Sequence, residues 1–224
     1  MSNSFEFTGA GMGMTNYFVD TIVAYKMSEI TKCDSPDMES EDKKWLNRFL
    51  LNAVFGVTIE PKQKSHLFNF VRRVEGSFSA YHEARNSLIE HVATPNNKIF
   101  PYFRSLLNFE ICISQLYQGI ELLCQLTGNQ AFDKGSNCEY ERLHNIYIDS
   151  KHMDKMIEGG KLPDGAMCAV WITNEGLESA RSKISFKELT SLMRCMANIA
   201  EQAATLKPNS NNSPFNKSLN LDAP

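Results

Sequence analysis

Apolar side chains recur at three- and four-residue steps along most of this chain, the spacing of one helical face. The first such stretch is NYFVDTIVAYKMSEI, with Phe18, Val19, Ile22, Val23, Met27 and Ile30 in step and Thr15 or Asn16 placed to cap it. Pro36 and the acids of CDSPDMESED end the pattern. EDKKWLNRFLLNAVFGV predicts a second, shorter helix through Trp45, Leu46, Phe49 and Leu50, stopped at Gly56. The longest periodic run is Gln63 to Val92, which at ~1.5 Å per residue reaches roughly 45 Å. FPYFRSLLNFEICISQLYQGIELLCQLTG predicts a fourth helix, opened by Pro101 and closed by Gly128. Its apolar stripe, from Phe103, Leu106 and Leu107 on to Leu126, is wide enough for a helix buried between neighbours. CEYERLHNIYIDSKHMDKMIEGG predicts a fifth, capped by Asn137 and ended by Gly159 and Gly160.

The period then changes. CAVWIT is β-prone and NEG is a turn signal, so a small hairpin is expected near 168–180, lying on the bundle. In SFKEL, Ser185 and Glu188 form a capping box at the head of a last helix carrying Leu189, Leu192, Met193 and Met196. KPNSNNSPFNKSLNLDAP has no periodicity. The pattern as a whole predicts an all-α fold, an antiparallel helical bundle of five to six helices with that hairpin. Residues 1–14 read as a flexible arm, 15–206 as one helical domain and 207–224 as a disordered tail. The first two helices would pack on the side of the bundle or supply an interface around Trp45.

Composition narrows the classes. With 42% hydrophobic and 22% charged residues, the 224-residue chain can bury a core. A formal net charge of -3 argues against a basic protein that coats nucleic acid and leaves only local basic patches. No run approaches the ~18–20 apolar residues of a membrane span, so no membrane partner is implied. The first residues lack the basic and apolar regions of a secretory signal. The six cysteines form no C-x-x-C, which points to free thiols in a reducing cytoplasm. GAGMGM lacks the GK[ST] ending of a phosphate loop, and H-E-x-x-H is missing, so no cofactor or metal is expected.

Candidate chemistry is concentrated in two stretches. RNSLIEH holds Arg85, Asn86 and His91. Histidine can move a proton at a ribose 2′-hydroxyl or a leaving oxygen, and arginine can hold the phosphate. The motif resembles that of the HEPN superfamily, whose active members carry an Arg, a polar residue after it, and a His five to seven positions on. That resemblance covers this motif and the helical layout. It implies a bundle, often dimeric, and metal-independent RNA cleavage of the kind found in toxin–antitoxin and phage-defence systems. Six helical steps turn Arg85 and His91 ~120° apart, and the alternative is that both flank a core stripe and meet water.

The second stretch, ERLHNIYIDSKHMDK, gathers Arg142, His144, Asn145, Tyr147, Lys151 and His152. It is similar to a group of bacterial helical proteins in which a YxxSKH segment recurs. As a site, Lys151 would hold an anion and His152 would handle a proton; the alternative is a hydrogen-bond network that fixes helix register. Arg85 and His152 could also meet across a groove between the third and fifth helices. Arg72 and Arg73, with Lys62 and Lys64 nearby, form the most basic local stretch, and with Arg142 they are the candidate contacts to RNA phosphates. Two readings therefore stand. One is a homodimeric helical module that binds a partner protein or a ligand. The other is a HEPN-type ribonuclease acting on RNA without a metal.

Overall fold

A computed structural model describes residues 26–55, 60–93 and 99–205. These residues form six α-helices: α1 (Trp45–Phe55), α2 (Pro61–Ala93), α3 (Ile99–Thr127), α4 (Glu139–Lys151), α5 (Met153–Glu158) and α6 (Phe186–Ala204). The helical bundle with a small antiparallel β element is the architecture the periodicity predicts. The N-terminal arm, residues 16–25 of the expected first helix, and the tail at 207–224 lie outside the described residues.

The long helices α2 and α3 form the backbone of the fold and run antiparallel. Arg104 pairs with Glu90, Ser105 Oγ donates to the Ala84 carbonyl at 2.8 Å, and Arg73 Nη1 donates to Gln115 Oε1 at 2.9 Å. The sum of paired positions stays nearly constant, as an antiparallel pair requires. Their facing stripes bury Phe70, Val74, Phe78 and Tyr81 against Phe109, Ile113 and Leu116. α6 closes this core. Its capping box is complete, with the Glu188 N–H donating to Ser185 Oγ at 3.2 Å and the Ser185 N–H to Glu188 Oε2 at 2.9 Å. Phe186 then stacks on Phe109 with ring centroids 5.1 Å apart.

The expected hairpin near 168–180 is present as the first two strands of the sheet, and several finer expectations need correction. The hairpin carries a third strand: β1 (Val170–Ile172), β2 (Gly176–Ser179) and β3 (Lys183–Ser185) pair antiparallel in that order, with Leu177 opposite both Ile172 and Ile184. At position 176 a Cβ would collide with the Ile184 carbonyl, so the close β2–β3 approach requires glycine. The fifth predicted helix is broken at His152, whose φ of -115 and ψ of 41 separate α4 from α5. Its cap position is Cys138, and Asn137 stands before it with φ 53. Glu141 instead reaches back to the loop before the helix, accepting from Gly135 N at 2.7 Å and Asn137 N at 2.6 Å; these bonds hold its carboxyl below the ordinary value.

The expected first helix does not continue through Ile30: Lys26 has φ 58, Met27–Glu29 is a single 3-10 turn, and Ile30 is extended. Trp45 is 1% exposed and belongs to the core, whereas Leu50 and Leu51 of the same helix are exposed. Trp45 packs edge-on to Phe78 at 5.3 Å, and its Nε1 donates to Glu201 Oε2 at 3.0 Å.

Candidate functional site

The chain between the two 3-10 turns, residues 30–38, runs as a strap along the polar side of α2. Tyr81 fixes it: its hydroxyl donates to the Pro36 carbonyl at 2.8 Å and lies 2.6 Å from Ser35 Oγ. Arg85, one turn on, donates from Nε to the Ser35 carbonyl at 3.0 Å and lies 3.5 Å from Asp37. Arg85 therefore holds the strap in place. His91 is 0% exposed and sits edge-on to Tyr102 with centroids 5.6 Å apart. The two residues of the motif have different surroundings, and His91 does not meet water. Asn86 shares with Arg85 and His82 a cleft of about 350 Å³ between the strap and α2. No residue of α4 lines that cleft, so Arg85 and His152 do not share it. Four carboxylates line it as well: Asp37, Glu39, Asp42 and Glu83. Burial raises the Asp42 carboxyl above its ordinary value, against the pull of His82, 3.8 Å away, and of Lys44.

The second stretch is knitted into the protein. Arg142 pairs with Glu188 and donates to the Asn137 carbonyl. Lys151 Nζ lies over the Tyr147 ring at 5.4 Å, and Tyr147 stacks on Tyr117 at 4.9 Å. His144 is wedged against Tyr117 and Phe132 at 4.9 and 5.3 Å, and burial lowers its pKa. Asp149, buried in the same helix, accepts from Arg181 Nε at 2.8 Å and ties the β2–β3 turn to α4. His152 occupies the break between α4 and α5, where its N–H donates to the Ile148 carbonyl at 3.0 Å. Arg72 is bonded to Asn69 at 3.3 Å, and Arg73 lies in a groove that also holds Glu121. The structure does not gather Arg72, Arg73 and Arg142 into one basic patch: Arg73 contacts α3, whereas Arg142 contacts α6.

A third region was not singled out from the sequence. Glu110 sits midway along α3, half-buried, and its carboxyl is pushed up by desolvation against the smaller, opposing effect of a hydrogen bond from Ser150 Oγ at 2.8 Å. Leu107 and Ile111, beside it on α3, are 56% and 39% exposed. Ser150 brings the end of α4 against Glu110, and one turn later the short α5 presents Met153 and Ile157, also exposed. Met167, 56% exposed, precedes Cys168, whose thiol feels the Glu110 charge. Leu107 thus belongs to an open face, contrary to a stripe buried on all sides. The break at His152 separates 153–158 from α4 as a short helix of its own. The signal available in the sequence was an acid set inside the apolar run LLNFEICI, followed later by Met153 and Ile157 at an i,i+4 spacing.

Among the described residues no three His, Cys, Asp or Glu side chains gather to hold a metal ion, and no helix is long and apolar enough to cross a membrane. All six cysteines are unpaired, with Cys112 buried and the others half-buried. No family model, curated protein or solved structure matches the chain.

Proposed function

We propose that this protein is a non-catalytic, HEPN-like helical module of the cytoplasm that binds a partner protein on the α3–α5 face around Glu110. One observation carries the reading: Leu107 and Ile111, exposed on α3, flank the half-buried Glu110, which Ser150 ties to the end of α4, whereas Arg85 and His91 are occupied within the fold. Clustered exposed apolar side chains mark interaction surfaces more often than scattered ones do. A bundle of this kind can present such a face rigidly, since α3 is anchored along its length by α2.

The ribonuclease reading meets an electrostatic obstacle. The cleft that holds Arg85, Asn86 and His82 carries four carboxylates against one guanidinium and one imidazole, which repels a phosphodiester. Arg85 is also shared between Ser35 and Asp37. The decisive assay incubates the protein, in EDTA, with single-stranded and structured RNA. No cleavage above a buffer control is expected. Cleavage that is abolished by His82→Ala or His91→Ala, in variants that still fold, would replace the binding reading with the catalytic one.

A further inference from the structure

A half-buried carboxylate set between exposed apolar side chains of its own helix, Leu107 and Ile111, is an unfavourable choice for a protein acting alone. Burial removes water from Glu110 without supplying a counter-charge: Ser150 donates to Oε1, and among the described residues no donor reaches Oε2 and no cation pairs with it. A neutral residue would cost less there. The charge becomes favourable once a cation is brought to it and water is excluded, because the pair then interacts at a lower effective dielectric.

We infer that the α3–α5 face docks a partner segment bearing apolar side chains around a single Lys or Arg, whose cationic head pairs with Glu110. This inference rests on the partner-binding reading above. The geometry suits such a side chain. A Lys or Arg stem can lie along Leu107 and Ile111 while its head reaches the half-buried carboxylate. Met153, exposed three residues beyond Ser150, offers a flexible, polarizable thioether that adjusts to the flanking apolar groups of the segment. Selectivity follows from the same arrangement. A neutral segment would cover Glu110 and leave a desolvated charge unpaired, and an acidic one would add repulsion.

The test presents the full-length protein to an array of short random peptides and then measures the selected peptides in solution by fluorescence anisotropy. Three variants accompany it. Leu107→Asp and Met153→Asp spoil the apolar walls. Glu110→Gln keeps the shape and an acceptor for Ser150, and thermal melting shows that each variant remains folded. Peptides enriched on the wild type should share one Lys or Arg flanked by apolar residues. They should lose about tenfold or more in affinity on Glu110→Gln, the loss of one charge-assisted contact. Leu107→Asp and Met153→Asp should abolish binding. Peptides that need the apolar walls but show no basic preference, or that bind Glu110→Gln equally, overturn the inference and leave the binding reading standing. Peptides that bind all three variants as well as the wild type, or no enrichment at all, overturn both. A wild-type dimer in sedimentation velocity that Leu107→Asp dissociates would make a second copy of the chain the occupant and also overturn the inference.

Discussion

The strap-bearing side of α2 and the outer side of α3 with α5 have opposite characters. On α2, Arg85 and Asn86 are candidate residues of the sequence motif, and Tyr81 and Arg85 are bonded to the strap at Ser35, Pro36 and Asp37. On α3 and α5 the exposed side chains include the apolar Leu107, Ile111, Met153 and Ile157, Glu110 on α3 has a single hydroxyl partner, and the surface is open. A chain segment without helical periodicity has backbone groups to satisfy, and the polar side chains nearest to it are recruited to do so. Motif chemistry beside such a segment is therefore easily consumed by structure. An apolar face has no comparable internal use once the core is filled.

The sharpest way to break this comparison is to show that the α1–α2 side is the real interface. Trp45 decides it. As a core residue against Phe78, with Nε1 bonded to Glu201, Trp45→Ala should cost about 3–5 kcal/mol in urea unfolding, through lost burial and the cavity left behind. An exposed interface tryptophan would cost almost nothing in the free protein. A loss well under 1 kcal/mol would make Trp45 itself a binding residue.

How much of this was legible beforehand follows from what each element depends on. The long helices were readable almost to their ends because their stripes are local and their stops, Pro101 and Gly128, act locally too. The capping box at Ser185 was readable for the same reason. β3 was hidden because residues 183–185 form a strand only by pairing with β2, whose Gly176 permits the approach. The break at His152 was hidden because nothing in DSKHMDK forbids a helix. The placement of Arg85 and His91 was out of reach for a related reason: periodicity puts both near a stripe, but only the strap and Tyr102 decide that one grips a loop and the other is buried. Glu110 stands out in the sequence only as an acid inside the apolar run LLNFEICI, and its bond to Ser150 depends on how α4 packs on α3.

A middle-sized contrast compares the two surfaces directly. Arg85→Ala removes the bond to Ser35 and the contact with Asp37, and should cost about 1 kcal/mol in the same unfolding experiment. Leu107→Asp changes an exposed position with no internal partner, and should stay within about 0.5 kcal/mol of the wild type while removing peptide binding. If Leu107→Asp destabilises more than Arg85→Ala, the α3 face is part of the fold's own support and the distinction fails.

The smallest effect is the most discriminating, because it concerns the sign of a charge's contribution. Glu201 and Glu110 are both helical glutamates in opposite environments. Arg48 grips Glu201 through bonds of 2.7 and 2.6 Å, and this holds its carboxyl below the ordinary value of 4.5. Its stabilisation is complete above that ordinary value and is lost as pH falls through the lowered folded-state pKa. Glu110 reverses the argument: desolvation raises its carboxyl above 4.5, so its ionised form weakens the folded state at neutral pH, and the penalty fades as pH falls through the raised pKa towards 4.5. Glu110→Gln should therefore raise the melting temperature slightly at neutral pH, with the gain vanishing near 4.5 and below. Glu201→Gln should lower it at neutral pH, modestly because that pair is partly solvated, with the loss shrinking only at more acidic pH. Thermal melts of both variants across this range measure the two curves. A Glu110→Gln curve that follows the Glu201→Gln curve in sign would mean that the isolated protein already pairs the Glu110 charge, and with that the reason to look for a partner's cation would disappear.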